Sequence, residues 1–196
     1  MPGSSMRERL LRAFADPAPE APLQGERVAA IALVLLERDN ALEALLIERA
    51  QRAGDPWSGH IALPGGHVEP GDAGLHATAE RETLEEVGLD LKHAAQRIGR
   101  LSDCTPVRGV PIAVRPFVYL LQALPMLSLN DEVRRSLWVP VAPLQRGEQR
   151  TTYTLSRSGQ SVEFPAWDFE GSIVWGLTYR VLAEFLARFS AVSGPE

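Results

Sequence analysis

The sequence predicts a single α/β domain in which a mixed β-sheet lies between helices. The chain has 196 residues, of which 45% are hydrophobic and 23% are charged, and this is enough apolar material for one packed core. Segments with the period of a strand and segments with the period of a helix both occur, and they alternate irregularly rather than as repeated βαβ units. This order favours a mixed sheet with helices on both faces.

The N-terminus is predicted to form a helical arm and a linker. Residues 6–15, MRERLLRAFA, have helical apolar spacing, and the Pro-rich stretch after them cannot continue a helix. We therefore divide the chain into an arm with its linker at 1–25, a folded domain at 26–190 and a C-terminal tail at 191–196. The arm is a candidate for contacts in a homodimer.

A β-hairpin is predicted to open the domain. VAAIALVLL at 28–36 and ALEALLIER at 41–49 have strand character, and residues 37–40 form the turn between them. The first of these is also the longest wholly apolar run, and its nine residues are far fewer than the roughly 20 that a membrane-spanning helix needs. A membrane is therefore not an expected partner.

Four later segments have the period of a helix or a strand, and they follow a long loop at 54–74 that is dense in Gly and Pro. They are a helix over 75–87 that ends at Gly88, a strand over 109–121, a short strand with a turn over 137–144, and an amphipathic helix over 175–189. A loop of this length inside a compact domain usually has a functional reason.

Composition and charge exclude several classes of function. The net charge of -5 argues against nucleic acid as a partner, because affinity for a phosphate backbone comes from clustered Lys and Arg. An acidic protein can still bind a small anion if a few cations or a divalent metal neutralise its phosphates. Cys104 is the single cysteine, so no intramolecular disulfide can form, and a reducing cytoplasm with Cys104 as an inert thiol is expected.

Three glutamates on the predicted helix suggest a metal site. Glu82, Glu85 and Glu86 are spaced i, i+3 and i+4, so their carboxylates share one helix face. Like charges this close repel each other, and oxygen ligands favour Mg²⁺, Mn²⁺ or Ca²⁺ over Zn²⁺. The Pro-Gly-Gly turn at 64–66 can bring a backbone carbonyl toward the same cation. The alternative is a solvated acidic face in which Arg81 and Glu85 form an ordinary ion pair.

The stretch GGHVEPGDAGLHATAERETLEEVGL at 65–89 resembles the Nudix box, written G-x5-E-x7-R-E-U-x-E-E-x-G-U with U aliphatic. The positions that match without adjustment are Arg81, Glu82, Glu85, Glu86, Gly88 and Leu89. The sequence departs from the box at three points. Thr83 occupies the first aliphatic position, and Asp72 stands one residue before the position of the first Glu. The spacing between Gly66 and the matching residues from Arg81 onward is longer by one residue than in the box. The resemblance implies a Nudix-like α/β/α sandwich with a mixed β-sheet.

Further segments resemble the coenzyme A diphosphatase branch of that family. LLIER, SGHIALPGG and VWGLTYRVL look like blocks of this branch, and together with the box they extend the likeness over most of residues 28–186. The short Asp-containing insertion after PGG is also associated with it. Trp57 is a departure, because the branch typically has His at that position. The alternative is a sister group that acts on another substrate.

The same resemblance implies roles in metal binding and catalysis. The implied ligands of Mg²⁺ or Mn²⁺ are the carboxylates of Glu82, Glu86 and, directly or through water, Glu85, together with the Gly65 carbonyl. A general base must take a proton from the attacking water, and in this family it is a box glutamate or an acid from a later loop. Glu132 is our candidate and Asp131 the fallback, and the alternative for Glu132 is a surface acid.

Three residues near the Gly-rich loop are candidates for substrate contacts. Arg49 can meet a phosphate, although an ordinary cation at a strand end is an equally good interpretation. Trp57 and His60 can stack on a base or contact the leaving group, but packing of Trp57 on the core is the favoured interpretation. Trp175 is also expected to pack in the core, and Arg81 is expected to orient the box acids.

The favoured function is hydrolysis of a nucleoside-diphosphate-linked small molecule. Coenzyme A or a derivative is the substrate that the resemblance implies, with adenosine 3′,5′-bisphosphate and 4′-phosphopantetheine as products. The alternatives are a hydrolase of ADP-ribose, other dinucleoside diphosphates or oxidised nucleoside triphosphates, and a non-catalytic nucleotide sensor. All three box glutamates are present, and this favours catalysis.

Overall fold

The computed structural model describes residues 5–15, 27–55, 57–106, 112–157 and 160–192. In chain order the elements are α1 (Met6–Ala13), β1 (Arg27–Arg38), β2 (Ala41–Arg49), β3 (Ile61–Ala62), β4 (Gly65–His67), α2 (Leu75–Val87), α3 (Leu91–Ala94), β5 (Ala95–Arg100), β6 (Ile112–Leu121), β7 (Val133–Pro140), α4 (Val141–Gln145), β8 (Arg150–Arg157), β9 (Gln160–Phe169), β10 (Ser172–Trp175) and α5 (Gly176–Ala191). The predicted linker at 16–25 and tail residues 193–196 lie outside the described residues, and the proposed domain boundaries stay predictions.

The central sheet has seven strands and is mixed, as the sequence predicts. Its main path runs β3-β2-β1-β6-β5, with β4 paired to β1 and β7 paired to β2. β1 and β6 are parallel, whereas the other pairs in this sheet are antiparallel. The predicted hairpin is confirmed: β1 and β2 pair directly, and Asp39 and Asn40 turn the chain with φ of 51° and 61°. Two consecutive positive φ values are typical of the turn that joins tightly twisted strands.

Side chains on alternate faces of β1 divide the core into two layers. Ile31, Leu33 and Leu35 pack in one cluster with residues of α1, α4 and α5. Ala32 and Val34 pack in the other cluster with residues of α2 and α3. Because successive strand residues point to opposite faces, one apolar strand supplies both layers, and the result is the predicted α/β/α sandwich.

The predicted N-terminal helix forms and folds back onto the domain. Ser5 begins α1 with a capping box, in which the Ser5 side chain accepts from the Glu8 N–H and the Glu8 side chain accepts from the Ser5 N–H. Leu10 is buried, and the Phe14 ring stacks on Phe185 of α5 with centroids 6.4 Å apart. The arm thus contributes to the core of its own chain, and a role in a homodimer stays a prediction. No helix in the described ranges is long and apolar enough to cross a membrane.

A second, three-stranded antiparallel sheet in the order β10-β9-β8 was not predicted. The Arg135 guanidinium ties it to the central sheet, donating to Ser172 Oγ of β10 at 2.9 Å while it also pairs with Glu48 of β2. The predicted short strand over 137–144 was placed too late: β7 begins at Val133, and the residues after Pro140 form the short helix α4. α5 follows β10 directly, so the three-stranded sheet and α5 together frame one side of a cleft.

Candidate active site

A cleft of about 1080 Å³ opens between α2, the loop before β3 and the three-stranded sheet. Apart from the fallback base Asp131, it contains the residues that the sequence singled out for catalysis, metal binding or substrate contact: Arg49, Trp57, His60, Gly65, Glu82, Glu85, Glu86 and Glu132. The structure therefore brings these residues together, and their individual roles stay predictions.

Helix α2 places the three glutamates at different depths in this cleft. The Glu86 residue is only 3% exposed, whereas the Glu85 side chain is 52% exposed and Glu82 is intermediate. Glu86 Oε2 accepts a hydrogen bond of 2.9 Å from the Gly65 N–H. Burial raises the pKa of Glu86 to about 7 and also raises the pKa of Glu82. Removal from water disfavours a carboxylate, so both side chains gain from a neutralising cation.

The two glycines of the Pro-Gly-Gly turn permit this close packing. A Cβ on Gly66 would overlap the Glu82 carboxylate, and a Cβ on Gly65 would overlap the backbone of Ala30 and Ile31 in β1. Gly65 also has φ of +146°, which L side chains rarely adopt. The pair of glycines therefore lets the backbone of β4 lie directly against the acids of α2.

Arg81 connects the acids to the Gly-rich loop. Its Nη1 donates to Glu82 and Glu85 at 3.1 Å each, its Nη2 donates to the His67 carbonyl at 2.9 Å, and its Nε donates to Asp72 at 3.1 Å. The Arg81 guanidinium lowers the pKa of Asp72 to about 2. The predicted orienting role of Arg81 agrees with these contacts, and Asp72 anchors the guanidinium from the other side.

Thr83 occupies an aliphatic position of the box without an unpaired hydroxyl. The residue is fully buried, and its Oγ1 donates to the Ala79 carbonyl one turn earlier at 2.7 Å. A buried hydroxyl is tolerated when it has a hydrogen-bond partner. This departure from the box therefore changes a packing position and leaves the face with the glutamates intact.

The donors around Glu82 and Glu86 are suited to a hard divalent cation. Carboxylate and carbonyl oxygens are the ligands that Mg²⁺ and Mn²⁺ prefer, and two desolvated acids beside a Gly-Gly turn offer such oxygens. Within the described parts of the chain, no three carboxylate, imidazole or thiol groups already converge on one point as a closed metal site. The assignment of the ligands Glu82, Glu85, Glu86 and the Gly65 carbonyl therefore stays a prediction.

Arg49 faces the cleft with part of its hydrogen-bonding capacity free. Its Nη2 donates to Asp55 Oδ2 at 2.9 Å, whereas its buried Nε has no hydrogen-bond partner among the described residues. Asp55 Oδ1 accepts from the Trp57 N–H at 2.9 Å, so one carboxylate orients both Arg49 and the loop that carries Trp57. A guanidinium held in this way is suited to an anionic ligand.

Glu132 lies opposite α2 at the start of β7 and lines the cleft. Its Oε1 accepts from Arg52 Nη1 at 3.0 Å, and its side chain is 44% exposed. The neighbouring Asp131 also pairs with Arg52, at 3.2 Å, but its side chain is 91% exposed and does not line the cleft. Of the two candidate bases, the geometry therefore favours Glu132.

The family follows from comparison of the sequence with known proteins. A family model described as the NUDIX domain matches residues 25–156. The chain belongs to the Nudix family. The uncharacterized Nudix hydrolase NudL of Salmonella newport is 32% identical over 161 residues, which cover 81% of each chain. The assignment makes this chain a Nudix-type diphosphatase, a hydrolase of nucleoside diphosphate derivatives.

Other relatives support the family and the fold. An uncharacterized protein of Schizosaccharomyces pombe is 40% identical over 120 residues, which cover 58% of this chain and 36% of the relative. This chain thus matches about a third of that relative's length. The MutT/nudix family protein of Enterococcus faecalis has a similar fold, with a TM-score of 0.56 and 18% identity over 97% of this chain and 75% of that one. The NUDIX domain of Shewanella oneidensis NrtR, complexed with ADP ribose, has a TM-score of 0.50 and 20% identity over 73% and 88%.

The Nudix cleft has an aromatic side that the sequence analysis did not predict. Tyr153 of β8 stacks on Trp175 with centroids 4.0 Å apart and planes 17° apart, and Phe164 of β9 lies 5.6 Å from Trp175. Two expectations were wrong: Trp57 is 36% exposed rather than packed in the core, and Trp175 lines the cleft. Only the register of β8, β9 and β10 brings these rings together, so no local motif indicated them.

Three further residues near the site make structural contacts. Cys104 is buried, and burial raises the pKa of its thiol to about 11, as expected of an inert cysteine. His76 lies on the opposite side of α2, where its ring contacts Phe117 at 6.2 Å. His67 contributes its backbone carbonyl to Arg81. These residues therefore support the Nudix fold, and we assign them no chemistry.

Proposed function

We propose that this Nudix hydrolase uses Mg²⁺ or Mn²⁺ to cleave the diphosphate of coenzyme A or a derivative, giving adenosine 3′,5′-bisphosphate and 4′-phosphopantetheine. The observation that carries the proposal is the burial of Glu86 against the Gly65 N–H, at the bottom of a cleft that it shares with Glu82 and Arg49. Glu86 is a buried carboxylate with a raised pKa, and no cation among the described residues donates a hydrogen bond to it, so it is well placed to hold a divalent ion beside a phosphate.

The residues of the cleft would divide the reaction between them. Glu82, Glu86 and the Gly65 carbonyl would hold the ion, with Glu85 as a direct or water-mediated ligand. When bound, such an ion neutralises phosphate charge and lowers the pKa of a coordinated water. Arg49, which lines the cleft, would bind a phosphate oxygen through its guanidinium, and this would fix the diphosphate for in-line attack.

Proton removal is assigned to an acid outside the metal ligands. Glu132 lines the cleft from the turn before β7, and Arg52 Nη1 donates to its carboxylate at 3.0 Å. The pair gives Glu132 a defined orientation while its side chain stays partly in water. A carboxylate in this position can accept a proton from the attacking water without losing charge needed for metal binding.

The shape and lining of the cleft support a large nucleotide substrate. Its volume of about 1080 Å³ is slightly above the range of typical ligand pockets, roughly 300 to 1,000 Å³. Aliphatic side chains, among them Val114, Leu155 and Leu177, line the cleft beyond the acids and offer an apolar surface to a pantetheine arm. The blocks that resemble the coenzyme A diphosphatase branch favour this substrate. ADP-ribose is the second candidate, because it is bound by the NrtR domain with a similar fold.

The test is a metal-dependent assay of coenzyme A against ADP-ribose, with products resolved by chromatography. We expect Mg²⁺- or Mn²⁺-dependent cleavage, higher kcat/KM for coenzyme A, and a loss of about a hundredfold or more in Glu86→Gln. Glu80→Gln is the matched control, because Glu80 is on the same helix but bonds to the Tyr119 hydroxyl, away from the cleft. Preference for ADP-ribose would change the proposed substrate from coenzyme A to ADP-ribose. Unchanged turnover in Glu86→Gln would reject the proposed set of metal ligands. Binding without cleavage would favour a nucleotide sensor.

A further inference from the structure

We propose that an aromatic wall, formed by Trp57, His60, Tyr153, Phe164 and Trp175, binds the planar base of the nucleotide part of the substrate. The inference deepens the proposed function and rests on it, because the base is expected to be attached to the diphosphate that the acids bind. All five rings line the same cleft as Glu82 and Glu86. The wall is thus positioned to bind a second part of one ligand.

The rings form a continuous surface rather than a set of separate side chains. Tyr153 and Trp175 are stacked at 4.0 Å, and the His60 ring contacts the Trp175 ring edge-on at 5.2 Å. Trp57 contacts His60 at 5.7 Å, and Phe164 lies 5.6 Å from Trp175. Each ring restricts its neighbour, so the wall can present flat faces to a ligand at low cost in side-chain entropy.

Two separate parts of the fold hold the wall in place. Trp57 and His60 belong to the loop before β3, and the other three rings belong to the three-stranded sheet. That sheet is fastened through the bond of 2.9 Å from Arg135 to Ser172 Oγ, and the start of α5 is fastened through the bond of 3.1 Å from Thr178 Oγ1 to the Ile61 carbonyl. The wall is therefore anchored to the central sheet on both sides.

Core packing does not account for the exposure of these rings. Trp57 is 36% exposed, and His60, Tyr153, Phe164 and Trp175 are all only partly buried. A hydrolase that needed these rings for stability alone would bury them, because apolar area left in water contributes nothing to folding. Partly exposed aromatic side chains that line a cleft are typical of a binding surface.

The chemistry of the wall fits a neutral planar ring. It contains no Lys, Arg, Asp or Glu, and burial lowers the pKa of His60, which favours the uncharged imidazole at neutral pH. The cationic group proposed to bind a phosphate is instead the Arg49 guanidinium, outside the wall. A flexible aliphatic arm fits the neighbouring lining of Val114, Leu155 and Leu177, whereas flat rings give most of their attraction to another flat ring.

Two ligands that differ only in the base test the proposal. Dissociation constants of adenosine 5′-monophosphate and ribose 5-phosphate are measured by calorimetry in Mg²⁺, so that no diphosphate is available for cleavage. We expect the wild-type protein to bind the adenosine compound at least about tenfold more tightly. Tyr153→Leu should remove most of this difference, whereas Tyr153→Phe, which keeps the ring, should retain it.

Further variants separate loss of the wall from loss of the fold. Trp57→Leu changes the wall without touching the three-stranded sheet and should also narrow the difference. Val162→Ala is the control, because Val162 is 37% exposed on the same sheet and does not line the cleft. Thermal unfolding of each variant shows whether the sheet is intact. If Tyr153→Leu fails to fold, Trp57→Leu decides.

Several outcomes would overturn the proposal. Equal affinity of the wild-type protein for the two ligands would show that the base contributes nothing. A difference in affinity that survives in both Tyr153→Leu and Trp57→Leu would place the base elsewhere. If these variants bind 4′-phosphopantetheine more weakly but bind adenosine 5′-monophosphate as the wild-type protein does, the wall would be assigned to the pantetheine arm. If neither coenzyme A nor ADP-ribose is cleaved while the preference for the adenosine compound depends on Tyr153, the proposed function fails and this inference stands.

Discussion

The Glu82 carboxylate lies so close to Gly66 that a Cβ on Gly66 would overlap its carboxyl carbon and both oxygens. The contact joins helix α2 to strand β4, and it fixes the distance between an acid of the Nudix box and the Gly-rich turn. Arg81 holds the same carboxylate from the other side at 3.1 Å. The position of Glu82 is therefore set by an absent side chain as well as by an ion pair.

Gly66→Ala is expected to displace the Glu82 carboxylate and lower kcat/KM by about a hundredfold, because misplacement of a catalytic group by about 1 Å can cost that much. The variant should fold, since a flexible carboxylate can move aside. Gly71→Ala is the control: it strains the backbone more, at φ of +118°, but its Cβ would meet nothing within 4 Å. Equal losses in the two variants would mean that general strain in the loop, rather than contact with Glu82, sets the activity.

The raised pKa of Glu86 predicts a dependence of stability on pH. Burial raises this pKa from 4.5 to about 7, so the folded state binds a proton more tightly than the unfolded chain. The contribution of Glu86 to the free energy of unfolding in EDTA should therefore be complete below about pH 4.5 and be lost as the pH rises through 7, a change of up to about 3 kcal/mol. Mg²⁺ should reverse part of this loss, because it favours the carboxylate.

Urea denaturation at pH 5 and pH 8 measures this effect, with Glu86→Gln for comparison. Gln retains an oxygen that can accept the Gly65 N–H, but it has no charge to desolvate. The variant should thus be less sensitive to pH than the wild-type protein and gain nothing from Mg²⁺. A wild-type protein as stable at pH 8 as at pH 5 without metal would contradict the assignment.

Regular patterns explain which parts of the fold were predictable from sequence. The hairpin and α2 have long periodic segments, and α2 ends at Gly88 in the left-handed conformation, as its position after the last apolar residue suggested. β7 was placed too late because its first residues, VRRS, include Arg134 and Arg135, which look like loop residues. In the structure both arginines pair with the buried Glu48 of β2. Because Glu48 is far from them in sequence, the local pattern did not indicate this pairing.

The candidate site also has a part whose position was predictable from sequence and a part whose position was not. The glutamates were predictable because one helix sets their spacing, and Arg49, Trp57 and His60 because they stand close to the Gly-rich loop in sequence. Tyr153, by contrast, is in a strand of alternating polar residues, and it meets Phe164 only through the register of β8 and β9. Sequence spacing gives contacts within one element, whereas contacts between strands depend on how the chain folds.

Loss of the Asp72 charge is expected to loosen the anchor of Arg81. The Arg81 guanidinium lowers the pKa of Asp72 to about 2, and the Asp72 side chain is 7% exposed. Asp72→Asn should lower the free energy of unfolding at pH 7 by about 2 kcal/mol, because it weakens a charged hydrogen bond in a nearly dry site. In the wild-type protein, the stabilising effect of the Asp72 charge is complete above pH 3.8 and is lost as the pH falls through about 2.

The measurement is denaturant unfolding of both proteins between pH 3 and pH 7. The difference between them should narrow as the pH falls, since protonation removes the charge that the variant lacks. We also expect a loss of about tenfold in kcat, because Arg81 would hold the box acids less firmly. A difference that stays constant with pH would mean that packing, and not the charge of Asp72, accounts for it.

Glu132→Gln is expected to lower kcat by about a hundredfold to ten-thousandfold with little change in KM, if Glu132 takes the proton from water. Asp131→Asn is the matched control: it removes the adjacent partner of Arg52, but its side chain is 91% exposed and lies outside the cleft. An unchanged kcat in Glu132→Gln would instead assign the proton to a glutamate of the box, and the ion pair with Arg52 would then have no part in catalysis.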